Sequence, residues 1–230
     1  MKKTFNLLFI FLFLIFIGES FAKETSPSAL VLKASGEIIL NRDGNNKNVE
    51  NGEILYSGDE LISKDQSMAA IRFVDNGAII KLFANSILTI NTEKQAERLD
   101  KKLVLEVGDL LSKVTKERGE YQIQTPTSVA AVKGTNFHTN VQDDGETMVL
   151  TFDGIVELQT DRGVVEVSQG QTGIAKEDEA PVVGETTSEQ ISEEVEAEIE
   201  SGEVKALEIK FKDENGEEKI LKVYYKEVEE

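Results

Sequence analysis

Met148-Val149-Leu150-Thr151-Phe152, the pair Asp153-Gly154, Ile155-Val156-Glu157-Leu158, then Asp161-Arg162-Gly163 and Val164-Val165-Glu166-Val167 follow one another without a break. Each apolar run is too short for a globular helix and rich in β-branched residues, and each is closed by Asp or Gly. Strands punctuated by tight turns are the structure this pattern predicts. The same grammar extends in both directions, from Leu30 to Ala175. Ala69, Ile71 and Phe73 alternate with Ala70 and Arg72, Asp75-Asn76-Gly77 supplies a turn, and Ile80 and Leu82 resume the apolar set. An Asn-Gly turn there predicts a hairpin. Leu103, Leu105 and Val107 alternate with Val104 and Glu106. With no long amphipathic pattern between these runs, residues 30–175 read as an all-β domain, an antiparallel sandwich, barrel or solenoid.

An internal echo lies within this region. Gly58-Asp59-Glu60-Leu61-Ile62-Ser63-Lys64 is matched fifty positions later by Gly108-Asp109-Leu110-Leu111-Ser112-Lys113. A Gly-Asp turn leading into a short strand, seen twice, predicts two related layers. A repeat array would need about three copies. Between the copies, Asn91 to Lys102 is highly charged and reads as a surface loop or short helix.

The composition changes after Ala175. Residues 176–187 read as an acidic linker, and 188–230 as an amphipathic helix followed by a β-hairpin. Thr187-Ser188-Glu189-Gln190 fits a capping box, Ile191, Val195 and Ile199 recur every four residues, and Gly202 is a natural stop. Leu207, Ile209 and Phe211 then alternate with charged residues, as do Leu221, Val223 and Tyr225 beyond Asp213-Glu214-Asn215-Gly216. A three-residue loop, Asn215-Gly216-Glu217, would set Phe211 against Leu221, Ile209 against Val223 and Leu207 against Tyr225, keeping one apolar face intact.

The first 22 residues have the three-part organisation of a secretory leader. Lys2 and Lys3 precede an apolar run from Phe5 to Ile17, and Ser20-Phe21-Ala22 places small residues at the two positions a signal peptidase inspects. Cleavage is expected before Lys23, with residues 23–29 a short linker and the product periplasmic or secreted. The apolar run is well short of the roughly 20 residues a membrane span needs, so no stable membrane anchor is expected. The chain has no Cys, which excludes disulfides, thiol chemistry and a lipidated N-terminal Cys. Cleavage removes two positive charges and one negative, taking the formal net charge from −18 to −19. Such a surface repels nucleic acid.

Candidate chemistry is sparse. His138 is the only histidine, sits in a predicted strand from Asn136 to Val141, and lacks the companions of a zinc site; a structural role is the expectation. Asp43-Gly44-Asn45-Asn46-Lys47-Asn48 and Asp143-Asp144-Gly145-Glu146 crowd oxygen ligands as calcium loops do, but lack EF-hand spacing and match hairpin turns. No nucleophile elbow, phosphate loop, dinucleotide fingerprint or zinc-protease motif occurs. The sequence therefore nominates no catalytic, cofactor-binding or metal-binding residue, and no cofactor. The absence of Trp, with 7% aromatic residues, poorly supplies a sugar-stacking platform.

The most specific local stretch is Tyr121 to Phe137, YQIQTPTSVAAVKGTNF. Together with Gly58-Asp59, Phe73 and Asp75-Asn76-Gly77, Leu105-Glu106-Val107-Gly108, Asp153-Gly154-Ile155-Val156 and Gly170-Gln171, it resembles the FecR protein domain, a periplasmic module. The resemblance implies a β-rich domain without enzymatic activity. In signalling members a cytoplasmic anti-sigma segment and one membrane span precede the domain, which receives a signal from an outer-membrane siderophore receptor. Here a leader stands in their place, so sigma regulation is not expected to carry over. The expectation is an exported interaction or scaffold module whose partner is an envelope protein or cell-surface component. An iron or siderophore sensor acting in trans, and a polysaccharide-binding or carbohydrate-modifying envelope protein, are the alternatives.

Overall fold

A computed structural model of the chain describes residues 26–95, 98–116, 119–187, 190–191, 195 and 197, together with the backbone of 205–212 and 218–225. The leader and its cleavage point lie outside these residues. The strands are β1 (Ala29–Ser35), β2 (Ile38–Arg42), β3 (Asn45–Asn48), β4 (Ile54–Leu55), β5 (Asp59–Ser63), β6 (Met68–Phe73), β7 (Ala78–Leu82), β8 (Ile87–Gln95) and β9 (Arg98–Val114). They continue as β10 (Tyr121–Gln124), β11 (Val129–Val132), β12 (Asn136–Val141), β13 (Thr147–Asp153), β14 (Ile155–Thr160), β15 (Gly163–Ser168), β16 (Gln171–Ala175), β17 (Val182–Glu185), β18 (Lys205–Lys212) and β19 (Glu218–Tyr225).

Pairing arranges the first seventeen strands into two layers. The first sheet runs β4-β1-β6-β7-β9-β12-β13-β16-β17. The second runs β3-β2-β5-β8-β9-β10-β11-β14-β15. β9 belongs to both, so the layers form one continuous hydrogen-bonded system. Its first half pairs with β8 in the second sheet and its last residues with β7 and β12 in the first. The change of sheet falls at Gly108, whose φ is 98° and where a Cβ would come within 2.1 Å of Ser86 Oγ. A side chain at this position is excluded both by conformation and by space.

All pairings are antiparallel except β9 with β10, so the sheet is mixed rather than purely antiparallel. The inward residues of both layers alternate with outward ones and fuse into a single core that includes Leu40, Leu61, Ile71, Leu103, Phe137 and Leu158. Period-two patterning on both layers is what a two-sheet packing requires.

The expected hairpin is present: Ala69 pairs with Leu82 and Ile71 with Ile80, and Ala69, Ile71, Phe73, Ile80 and Leu82 are all buried. Its left-handed residue is Asn76 (φ 54°) rather than Gly77, and Asp75 Oδ1 accepts a hydrogen bond from the Gly77 amide. Three expectations are corrected. Of the stretch Asn91 to Lys102, the described residues 91–95 and 98–102 are strand rather than loop or helix: they extend β8 and β9, with Asn91 against Lys102 and Gln95 against Arg98. Ladder bonds come from the backbone, and even here alternate positions, Leu99 and Lys101, turn inward and are buried. The acidic linker contains β17, which pairs with β16 through Ile174↔Val182 and Gln171↔Glu185.

The third correction concerns the C-terminal hairpin. β18 and β19 do pair, but Leu207 faces Val223, Ile209 faces Leu221 and Phe211 faces Lys219. The loop therefore spans five residues, 213–217, instead of three. A two-residue slip keeps every residue on its original face, so the alternation that suggested the register survives the shift.

Of the predicted helix, Gln190 lies in a 3₁₀ turn and Ile191 in a bend, so no α-helix starts directly at the capping box; Val195 and Ala197 are helical, and Ile199 lies outside the described residues. Gln190 Oε1 accepts a hydrogen bond from the Thr187 amide at 2.9 Å, the return half of a capping box. Ile191 and Val195 are buried on the outer face of the first sheet, in a cluster with Phe83, Leu150 and Phe152. The chain reaches this seat from β17 through Thr186, whose amide donates to the Gly170 carbonyl and whose hydroxyl lies 2.9 Å from that of Thr172.

Candidate functional site

The polar groups of the motif-bearing stretches are the natural candidates for chemistry. Thr125 and Ser128 close the turn between β10 and β11: their hydroxyls are 2.9 Å apart, and the Ser128 amide donates to Thr125 Oγ1. Thr147 Oγ1 donates to Thr125 Oγ1 at 2.8 Å, and Thr127 Oγ1 lies 3.0 Å from Thr147 Oγ1. This chain of hydroxyls bridges the two sheets at one corner, since β10 and β11 belong to the second and β13 to the first.

At Gly134-Thr135 the chain leaves β11 in the second sheet for β12 in the first, and at Gly154 it returns from β13 to β14. The two crossings lie against each other. Thr135 Oγ1 donates to the Ile155 carbonyl at 3.0 Å, and a Cβ on Gly154 (φ 88°) would meet the Gly134 carbonyl at 3.0 Å. Pro, Thr and Gly in these stretches thus serve corners and crossings.

The Gly-Asp echo resolves into one copy per sheet, β5 in the second and the end of β9 in the first. The copies differ by one residue between Asp and Ser, and this single step reverses the carboxylate. Asp59 sits on the inward set of β5 with Leu61 and Ser63. It accepts two hydrogen bonds from Arg42, both at 2.7 Å, and one from the Tyr56 amide. Asp109 instead points outward, while Leu110 and Ser112 point in. The serines keep the inward position in both copies: Ser63 donates to the Phe83 carbonyl, and Ser112 Oγ lies 2.8 Å from the buried Tyr121 hydroxyl.

Outward Asp109 meets the chain's only imidazole. His138 occupies β12 as expected, 1% exposed, with Nε2 at 2.7 Å from Asp109 Oδ1. Asn140 Nδ2 donates to the same oxygen at 3.0 Å. Burial acts to raise the Asp109 pKa, but the hydrogen bond and charge of His138 and the hydrogen bond of Asn140 outweigh it. The carboxyl ends below its ordinary value. Laterally, His138 is flanked by its register partners Leu111 and Leu150, on the face where Ile191 and Val195 are seated. Its Nδ1 has no hydrogen-bond partner among the described residues. Asp109 and Asn140 also border an open groove of about 780 Å³ that reaches Asn85 and Asp143-Asp144.

What this arrangement does chemically is hold β9 to β12 by a side-chain pair in addition to the ladder. Among the described residues, no serine or threonine hydroxyl is hydrogen-bonded to the imidazole. Nor does any group of three metal-ligating side chains occur among them. The two acid-rich turns are built as turns. Asp43 (φ 51°) and Gly44 (φ 78°) form the two-residue connection between Arg42 and Asn45, the geometry of a type I′ hairpin. In the other, Asp144 Oδ1 accepts from the Glu146 amide, and Glu146 pairs with Lys176 Nζ at 2.8 Å.

The pairs Asp59–Arg42, Asp75–Lys101 and Asp109–His138 were not legible as pairs in the sequence; the Gly-Asp echo was the one signal that marked two of the three carboxylates. Lys101 Nζ is 2.7 Å from Asp75 Oδ2 and close to the Leu99 carbonyl, beneath the Phe73 ring.

No curated protein matches the chain. Two crystal structures of a candidate anti-sigma factor from Parabacteroides distasonis are similar to it, each with 17% identity and a TM-score of 0.48, covering 55% of this chain. This chain spans 59% of their length. The FecR protein family model matches residues 59–170, from the first Gly-Asp turn to the last glycine turn. The corners, crossings and sheet-to-sheet bend described above fall inside that range, so it is these elements of the two-sheet core that match the FecR domain.

Proposed function

We propose that this chain is an exported, non-enzymatic FecR-domain protein acting as a protein-interaction or scaffold module of the bacterial envelope. The observation that carries the reading is where the motif's polar groups go. Thr125, Ser128, Thr135, Thr147 and Asp59 are spent on corners, crossings and an internal ion pair, which leaves broad sheet faces as the surface on offer. Across the second sheet an outward row of Asn41, Glu60, Thr89, Val104, Gln124, Val129 and Gln159 presents amides, one carboxylate and short side chains. Such a surface suits a protein partner better than a small substrate, which calls for a concave site. The leader-like first 22 residues support an extracytoplasmic address.

The test is capture from a chemically crosslinked envelope extract, using the full chain and a Gln124→Lys, Gln159→Lys variant. A discrete partner, retained by the first and lost by the second, is expected. Recovery of the chain alone in both cases overturns the reading. N-terminal sequencing of the extracytoplasmic fraction, expected to begin at Lys23, checks the address; protein retained in the cytoplasm with Met1 intact overturns it.

A further inference from the structure

The outer face of the first sheet carries two apolar patches, and only one of them is covered. At one end, Ile191 and Val195 close the cluster of Phe83, Leu150 and Phe152, against which Met68, Leu111 and Met148 pack. At the other end, Leu30, Leu32 and Ile54 remain 39%, 38% and 42% exposed. These three are contiguous: Leu30 and Ile54 are register partners on β1 and β4, and Leu32 is the residue at the β1 bulge between Val31 and Lys33. On neighbouring β6 the outward set is Met68, Ala70 and Arg72, with Arg72 opposite Leu30 and Ala70 opposite Lys33, so the two patches are separated by these cationic side chains.

We propose that the β18–β19 hairpin of this same chain packs onto Leu30, Leu32 and Ile54 and completes the cover that residues 190–197 begin. Three considerations select this occupant. The first is continuity, because the chain is already seated on this face at Val195. From Ala197 the hairpin starts at Lys205, and eight residues reach at most about 27 Å. Even from β13, which carries Leu150 and Phe152, β1 lies five strands away in the sheet order, about 24 Å at the usual spacing.

The second consideration is need. A lone two-stranded hairpin is marginal in water, and this one pairs Leu207 with Val223 and Ile209 with Leu221, an apolar set that requires a surface. The third is charge. The hairpin over 205–225 is itself balanced, five Lys against five acidic residues, while the whole chain carries −18. Seating it on its own domain therefore meets no net repulsion, whereas docking it on a second copy would bring two such acidic domains together.

A photo-crosslinking residue at Ile54 in the full chain tests this, with Val164 on the second sheet as control. Expected is an adduct within one chain, mapped by mass spectrometry to residues 205–225, from Ile54 and not from Val164. Ile209→Asp should reduce that adduct at least tenfold without lowering the thermal midpoint of the β domain by more than a few degrees. Adducts that join two copies, adducts that map outside 205–225, or a yield unchanged by Ile209→Asp would each overturn the assignment.

Discussion

The two outer faces of the molecule grow from the same period-two alternation and meet opposite fates. On the first sheet the outward row Ala70, Lys81, Leu111, His138, Leu150 and Thr172 crosses six strands, and its centre lies under Ile191 and Val195. On the second, the corresponding row is built of Asn41, Glu60, Thr89, Val104, Gln124, Val129 and Gln159, with Gln124 and Gln159 exposed. The inner faces of both sheets are interchangeable in character, since they fill one core. What distinguishes the layers is carried wholly by the outward residues, and it decides which face the C-terminal segment covers.

The largest expected effect breaks that comparison directly. Leu150 is fully buried although it points away from the main core, so Leu150→Ala should lower stability by about 2–5 kcal/mol, as for a core leucine. A urea titration measures it. A loss under about 1 kcal/mol would mean that the covering segment contributes little and the first face is in effect as open as the second.

The difference between the faces was only half legible in the sequence. Alternation at Ala69 to Leu82 and Met148 to Val167 reveals strands, because side-chain period follows from backbone geometry regardless of what the strand pairs with. The capping box at Thr187 and the apolar spacing of Ile191 and Val195 likewise reveal a covering segment. Strand order is not local. Nothing near Tyr121 announces a parallel partner at Lys101, and nothing in Val182-Val183-Gly184-Glu185 separates an edge strand from a linker. Charge misleads at Asn91 to Lys102 because solvent-facing and ladder-forming roles are compatible in a hairpin. The imidazole site was legible as a residue and not as a site: Asp109 lies 29 positions from His138, and their meeting depends on β9 pairing with β12.

A smaller effect is expected from the cover itself. Val195 is fully buried, and Val195→Asp should remove about 1.5–3 kcal/mol of burial, because the segment will leave its seat sooner than bury a carboxylate. Hydrogen exchange should show residues 190–197 losing protection while β10 and β11 keep theirs. Equal loss in both sheets would indicate that the segment is integral to the core rather than a cover on one face.

Acid should discriminate between the faces next. Asp109 has a lowered pKa in the folded protein, so its pairing with His138 and Asn140 stabilises the fold above the ordinary carboxylate value of about 3.9. That contribution is lost as pH falls through the folded value. Stability curves for the wild type and Asp109→Asn, followed by thermal unfolding from pH 6 downward, should therefore converge in acid. Curves that stay parallel to the lowest pH would show that the pair on the first face contributes no linkage.

The smallest effect belongs to the second face, and it sharpens the contrast by being small. Gln159 is exposed and sits between register partners Val129 and Val164, so Gln159→Ala removes neither a buried contact nor a hydrogen bond that the fold uses. A change within about 0.5 kcal/mol is expected in urea. If it instead approached the cost of Leu150→Ala, the second face would also have to be covered, by a surface that the described residues do not supply. Near-neutral stability combined with lost capture of a partner by the Gln124→Lys, Gln159→Lys variant would separate the two roles: one face spent on holding the chain's own C-terminal segment, the other kept open for something else.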